Sequence, residues 1–349
     1  MGGRRVIKGM RKEFERGNNL AITVAARRGR GWLPTALMGC LLWMAGMTAS
    51  PFLMAGGVYP SETIRLVVPF SRNGATDVIF RDVAARVRTE LNNDIDIINI
   101  PGAAAIRGAS LARDAAPDGH TLLGTHQTLL HSYLSGVTAY SHRQLSPVAL
   151  LTRTVNIPST WTGHPVQRAD QIADYVASHP HAVRIAVIPY STSEFFWTRL
   201  LQLVGVDPAE VRKVHFPDTA AQIAALLARE VDFAMLDMPS ASDLYQQELL
   251  HPLAVAHSER LFGLPATATL QEQGIAMTHT SDRGLFAPHG TPKDRLDILV
   301  AALEKVLADE QLAAHMERDY GSFIDFRPLE EYSLFLEQQL EELSPPRRR

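Results

Sequence analysis

The chain has 349 residues, 46% of them hydrophobic, enough to bury a sizeable core and to build two domains. Its net charge of −3 is unevenly placed: residues 1–57 hold nine Lys/Arg against Glu13 and Glu15, a net of +7, which leaves −10 on the remainder. That acidic body argues against nonspecific nucleic-acid binding, and the lone cysteine, Cys40, excludes an intrachain disulfide.

Residues 1–57 read as a targeting segment. Arg27, Arg28 and Arg30 precede an apolar stretch from Trp32 to Met47, followed by small residues and the Ala55-Gly56-Gly57 step. Cleavage there yields an exported, periplasmic protein that starts near Val58 and carries no thiol. Two alternatives stay open: lipidation at Cys40, and an uncleaved anchor. Against the anchor, the apolar run is shorter than the ~20 residues of a span and contains Pro34.

Ile64, Leu66, Val67 and Val68 form a short β-rich run that Pro69 ends. Ser71 to Gly74 supply turn chemistry, with Asn73 and Gly74 both expected at positive φ. From Asp77 onward, Ile79, Val83, Val87 and Leu91 recur every fourth residue, so a helix is expected there with Thr76 and Asp77 as its capping pair. Such a terminus suits a small anion.

Strands Ile95–Ile100 and Thr121–Gly124 flank a helix at Ala105–Ala115. Further on, a helical run Phe195–Leu203 follows the hydroxyls of Ser191, Thr192 and Ser193. A helix face at Gln222–Leu227 leads into the strand Val231–Leu236. A last helix spans Pro292–Leu307, with Thr291 expected as its cap, and Pro345–Arg349 reads as a frayed tail. This alternation predicts an α/β protein with mixed or parallel sheets.

Enzymatic patterns are missing from the sequence: there is no Gly-x-Ser-x-Gly elbow, no phosphate-binding Gly-Lys-Ser/Thr loop and no His-Glu-x-x-His. The 13 histidines show no metal-ligand spacing, and His126 and His131, at i,i+5, fall on different helix faces. The expectation is a non-enzyme with no catalytic residues, no metal and no cofactor.

Several segments carry a family resemblance in collinear order. They are Pro69-Phe70-x-x-x-Gly74-Ala75-Thr76-Asp77, Asn99-Ile100-Pro101-Gly102-Ala103 and Ala116-Pro117-Asp118-Gly119-His120-Thr121-Leu122-Leu123. Later come Val231-Asp232-Phe233, Leu253-Ala254-Val255 and Gly284-Leu285-Phe286-Ala287-Pro288-His289-Gly290-Thr291-Pro292. Together they resemble the Bug-type, TctC-like extracytoplasmic receptors of tripartite tricarboxylate transporters, over roughly Tyr59 to Leu343.

The resemblance implies a two-lobe periplasmic-binding-protein fold (type II-like), with a ligand cleft between lobes and two crossover segments. Lobe 1 would be discontinuous, 58–157 plus 282–343, and lobe 2 would span 158–281, with 344–349 a tail. It also implies a small carboxylate ligand (a dicarboxylate, an amino acid or a related organic acid) held by backbone N–H groups and ordered waters from two turns. The first maps to Phe70, Ser71, Arg72, Asn73, Gly74, Ala75, Thr76 and Asp77; the second to Tyr190, Ser191, Thr192, Ser193 and Glu194. Thr125 and Asp237 complete the candidate set. The implied partners are the membrane permease subunits of such a transporter; the alternative, favoured by the loss of turn glycines, is a receptor-like protein without a transport role that presents its ligand to a sensor kinase.

Departures from the family pattern concentrate at the turns. Arg72 and Asn73 stand in the first turn, Ile188 and Tyr190 lie where glycines are expected in the second, and Glu194 replaces a common histidine. Ala104 and Ala105 also replace glycines, and Asp282-Arg283 stand where a tryptophan is expected before Gly284.

Overall fold

In β1 (Ile64–Val68) every residue but Arg65 is buried, because a strand inside a sheet covered on both faces has apolar neighbours above and below. The computed structural model to which it belongs describes residues 59–344, so the targeting segment and the Pro345–Arg349 tail lie outside it. After β1 come α1 (Ala75–Leu91), β2 (Ile95–Asn99), α2 (Ile106–Arg113), β3 (Thr121–Thr125), α3 (Thr128–Leu134) and β4 (Leu145–Val155). One residue later the chain enters β5 (Ile157–Trp161), followed by α4 (Ile172–Ser178), β6 (Arg184–Val187), α5 (Thr192–Leu203) and β7 (Arg212–His215). Then follow α6 (Thr219–Leu227), β8 (Phe233–Leu236), α7 (Met238–Gln246) and β9 (Leu250–Pro252). The last elements are β10 (Thr280–Pro288), α8 (Lys293–Leu307), α9 (Glu310–Tyr320), β11 (Ser322–Pro328) and α10 (Leu329–Leu343).

These strands form two mixed sheets, ordered β11-β4-β10-β3-β1-β2 and β7-β6-β8-β5-β9. Parallel pairs join β1 to β2 and β3, and β6 to β7 and β8, while β10 runs antiparallel to β3 and β4. Strand alternation explains the layering. Ile64, Leu66 and Val68 of β1 face α1, α8 and α9, whereas Val67 faces α2, α3 and α10. In the second sheet Ile185 and Val187 of β6 face α4 and α5, and Ala186 faces α6 and α7. The molecule is thus a two-lobe α/β protein. No helix among the described residues is long and apolar enough to cross a membrane.

The chain passes between the sheets at Asn156 and returns before Thr280. Those passages are tied together: the Asn156 N–H donates to His279 O at 3.2 Å, its Oδ1 lies 2.7 Å from His279 Nδ1, and its Nδ2 donates to Ser281 Oγ at 3.1 Å. Burial pushes the His279 pKa down to about 4, so the imidazole is neutral at neutral pH. Gly284 in β10 is required by packing, since a Cβ there would sit 2.2 Å from the Tyr332 hydroxyl.

Helix starts differ in detail from expectation. α1 begins at Ala75 with Gly74 as its N-cap, and α5 begins at Thr192 rather than Phe195. Pro292 is the N-cap of α8, because Thr291 Oγ1 donates instead to Pro288 O at 2.8 Å. In each case a local hydrogen bond or backbone turn, invisible to apolar periodicity, sets the first residue.

Candidate functional site

The turn before α1 is clamped from behind. Asn73 takes the left-handed conformation at φ 64°, while Gly74 is extended at φ −77°, so the expected positive φ belongs to Asn73 alone. Asp77 Oδ2 accepts from the Asn73 N–H and from Arg81 Nε, both at 2.9 Å, and Oδ1 accepts from Asn99 Nδ2 at 2.8 Å. Burial would raise the Asp77 pKa, but the hydrogen bonds from Arg81, Asn73 and Asn99 outweigh it and hold it below the usual carboxylate value. Asp77 therefore braces the turn and does not line the cleft.

Gly74 supplies no side-chain cap, and the first helical bond is Val78 N–H to Gly74 O at 3.0 Å. Among the described residues no group accepts from the N–H of Ala75, Thr76 or Asp77, although all three residues are buried. Buried donors left open are costly unless something arrives to accept from them. Ala75 and Thr76 line the cleft.

Beside them stands Arg283 of β10, only 2% exposed. Its Nε donates to Thr76 Oγ1 at 3.1 Å, and Nη1 donates to Thr154 Oγ1 at 2.5 Å and to Ser281 O at 3.2 Å. Nη2 is left facing Asp237 Oδ2 at 4.0 Å, an ion pair too long for a hydrogen bond. Burial pushes the Arg283 pKa down to about 10, so the guanidinium remains charged at neutral pH. Burial and the neighbouring Arg283 charge hold His126 well below the ordinary imidazole value, and this neutral ring stacks on Phe70 at 4.5 Å.

The opposite wall comes from the second sheet, and its helices begin differently. Ser191 caps α5, its Oγ accepting from Ser193 N–H at 3.2 Å and its carbonyl from Glu194 and Phe195 N–H. The Thr192 N–H reaches across to Thr128 Oγ1 at 3.4 Å. The donors expected at this second turn are thus already used. Asp218 caps α6 through Ala221 N–H at 3.0 Å, and Asp237 caps α7 through Ser240 N–H at 3.1 Å. Ser71 Oγ donates across the cleft to Asp218 Oδ2 at 2.9 Å.

Both walls enclose a cavity of about 830 Å³, within the range of small-molecule sites. Of the expected residues, Phe70 through Thr76, Tyr190 through Ser193 and Asp237 line it. Asp77, Thr125 and Glu194 do not. Thr125 is fully buried at the end of β3, and Glu194 is turned aside, accepting from Tyr190 N–H at 2.8 Å and Lys213 Nζ at 3.2 Å. Sequence reasoning missed Arg283, His126, Asp218, Gln222 and Ser240, all of which line the cavity. A signal existed for two of them: Asp218 precedes an apolar helix face as an N-cap does, and Arg283 was visible as a departure from the family pattern.

Three residues that stand where glycines are expected take a backbone conformation that favours glycine. Tyr190 (φ 58°), Ala104 (φ 49°) and Ala105 (φ 71°) occupy the left-handed region themselves, each at a cost of about 1–2 kcal/mol. No group of three or more potential metal ligands is present among the described residues.

The tripartite tricarboxylate transporter family receptor model matches residues 79–320. Protein BugT of Bordetella pertussis is 25% identical over 262 residues, covering 73% of this chain and 78% of its own. The solved periplasmic binding protein BugD aligns with a TM-score of 0.74 at 24% identity, over 81% of this chain and 96% of that one. MatC from Rhodopseudomonas palustris, solved with bound malate, gives a TM-score of 0.72 at 29% identity, over 81% and 97%. With its two lobes, its interlobe cleft and this match over more than half its length, the chain belongs to the tripartite tricarboxylate transporter receptor family.

Proposed function

We propose that this protein is an exported, periplasmic receptor that closes its two lobes around a small carboxylate and delivers it to the permease subunits of a tripartite tricarboxylate-type transporter. One observation carries the reading: a buried, uncapped helix N-terminus at Ala75 and Thr76 opens into the interlobe cleft beside the buried Arg283 cation. Both favour a negative group, the first through open N–H donors and the helix dipole, the second through a guanidinium fork. Malate in MatC is a ligand of this chemistry. Crossings at Asn156 and before Thr280 supply the natural hinge, with 157–279 as one lobe and the flanking pieces as the other.

The test is thermal-shift screening of the purified protein against a carboxylate panel, followed by calorimetry. A ligand at ~100 times its dissociation constant adds ~2.7 kcal/mol, a rise of several degrees in Tm. No shift with any carboxylate, amino acids included, would end the proposal.

A further inference from the structure

Three side chains on the lobe-2 wall have unused hydrogen-bonding capacity. Gln222 of α6 is fully buried, yet neither its Nε2 nor its Oε1 has a partner among the described residues, and the same holds for Ser240 Oγ of α7. Both line the cleft with Asp237. Asp237 spends Oδ1 on its own cap, and Oδ2 has only Arg283 Nη2 at 4.0 Å. An amide and a hydroxyl left unpaired in this way cost free energy that a bound group of the right chemistry recovers.

The two walls differ in charge, with Arg283 on one and Asp237 on the other. Lobe 1 presents donors: the open N–H groups of Ala75 and Thr76, and the free edge of Arg283. Lobe 2 presents Asp237 Oδ2, which can only accept, beside the Gln222 amide and the Ser240 hydroxyl, each able to accept through its oxygen as well as donate. A dicarboxylate would set its second charge against Asp237, where desolvation sharpens the repulsion. A simple monocarboxylate would leave Asp237 and Gln222 unpaired on closure. A ligand with a negative end and an adjacent ammonium satisfies both walls, its three N–H bonds matching three acceptors. The 4.0 Å between Arg283 Nη2 and Asp237 Oδ2 requires those opposite charges to be close together in the ligand. Phe216, Ile223 and Met235, also lining the cleft, leave an apolar region for an uncharged side chain.

We infer that the ligand is an α-amino acid, held with its carboxylate at the α1 terminus and Arg283 and its ammonium on Asp237, Gln222 and Ser240. This inference rests on the carboxylate-receptor reading and narrows it. Asp237 and Gln222 act as specificity determinants: both reward the amine, and the Asp237 charge penalises a second carboxylate.

Calorimetry on the full chain, stripped of carried-over ligand, would use the twenty standard amino acids, malate, succinate, and the desamino counterpart of the best amino acid. The expected result is an amino acid that binds at least tenfold tighter than its desamino counterpart and than either dicarboxylate. Asp237→Asn keeps the cap, since Asn and Asp serve equally at that position, and should collapse that preference to within about threefold, with the apo Tm checking the fold. Gln222→Leu removes an unpaired amide, so the apo protein should melt higher while amino-acid affinity falls; a purely structural role for Gln222 would not lower affinity. Desamino acids or dicarboxylates binding as tightly as any amino acid would overturn the inference and leave the receptor reading standing. Absence of binding by every compound in the panel would overturn the receptor reading as well.

Discussion

Four helices point their N-termini at one cleft, and the two lobes treat that geometry in opposite ways. α1 of lobe 1 starts on Gly74 and leaves buried N–H groups open. In lobe 2, α5, α6 and α7 start on Ser191, Asp218 and Asp237, each of whose side chains takes up one first-turn donor, and the N–H groups that α6 leaves open belong to the less buried Thr219 and Ala220. A helix N-terminus without a side-chain cap keeps one more first-turn donor for an anion. Carboxylate caps go further and place a negative group at the start of α6 and of α7.

The lobes should also differ in autonomy. A fragment of residues 157–279 holds the whole β7-β6-β8-β5-β9 sheet and should fold by itself. A fragment of 59–156 lacks β10, the partner of β3 and β4, together with α8 and α10, and should stay unfolded. Circular dichroism melts check both; a cooperative transition in the shorter piece would break this contrast.

Arg283→Met removes the charged partner of lobe 1 at similar volume. Carboxylate affinity should fall by about 1.5–3 kcal/mol, the range for hydrogen bonds to charged groups, which is roughly 10- to 150-fold. Calorimetry reads the loss, and unaltered affinity would move the anion site away from β10.

Gly74→Asp would give α1 the kind of cap that α6 and α7 have. The φ of −77° admits any L-residue, although the new Cβ would lie 3.3 Å from Ser71 O. Binding should weaken at least tenfold, about 1.4 kcal/mol, while the apo Tm holds or rises, since Asp exceeds Gly as a cap by only a few tenths of a kcal/mol. Weakened binding with a collapsed fold would not separate the walls, so both quantities are measured on one sample.

Ser71→Ala removes the hydrogen bond to Asp218 that joins the two walls. A loss of about 0.5–1.5 kcal/mol in ligand affinity is expected, seen in calorimetry as a few-fold change. Smallest of all should be Glu194→Gln. Glu194 is held by the Tyr190 N–H and Lys213 outside the cleft, so mono- and dicarboxylate affinities should both stay within about twofold. A selective gain for dicarboxylates would bring Glu194 back to the site.

Much of the scaffold could be read in the chain order. The β1 run, the turn that follows it and the stripe of Ile79, Val83 and Val87 are local patterns, and local patterns report which face of an element is apolar. Candidate residues from Phe70 to Thr76 followed from that same strand–turn–helix joint. What local pattern cannot report is a distant partner. Thr76 and Arg283 meet across 207 positions, and the Thr192 donor is taken by Thr128, 64 positions earlier. Asp77 is a binding-site carboxylate by sequence position and a brace by geometry, because Asn99 and Arg81 reach it first. Residue order alone determined the elements and the turn that could meet an anion. Which donors stay open, which charges face the cleft and which side chains turn away was decided only when the two sheets closed on each other, because a hydrogen-bond donor can be spent only once and tertiary contact chooses where.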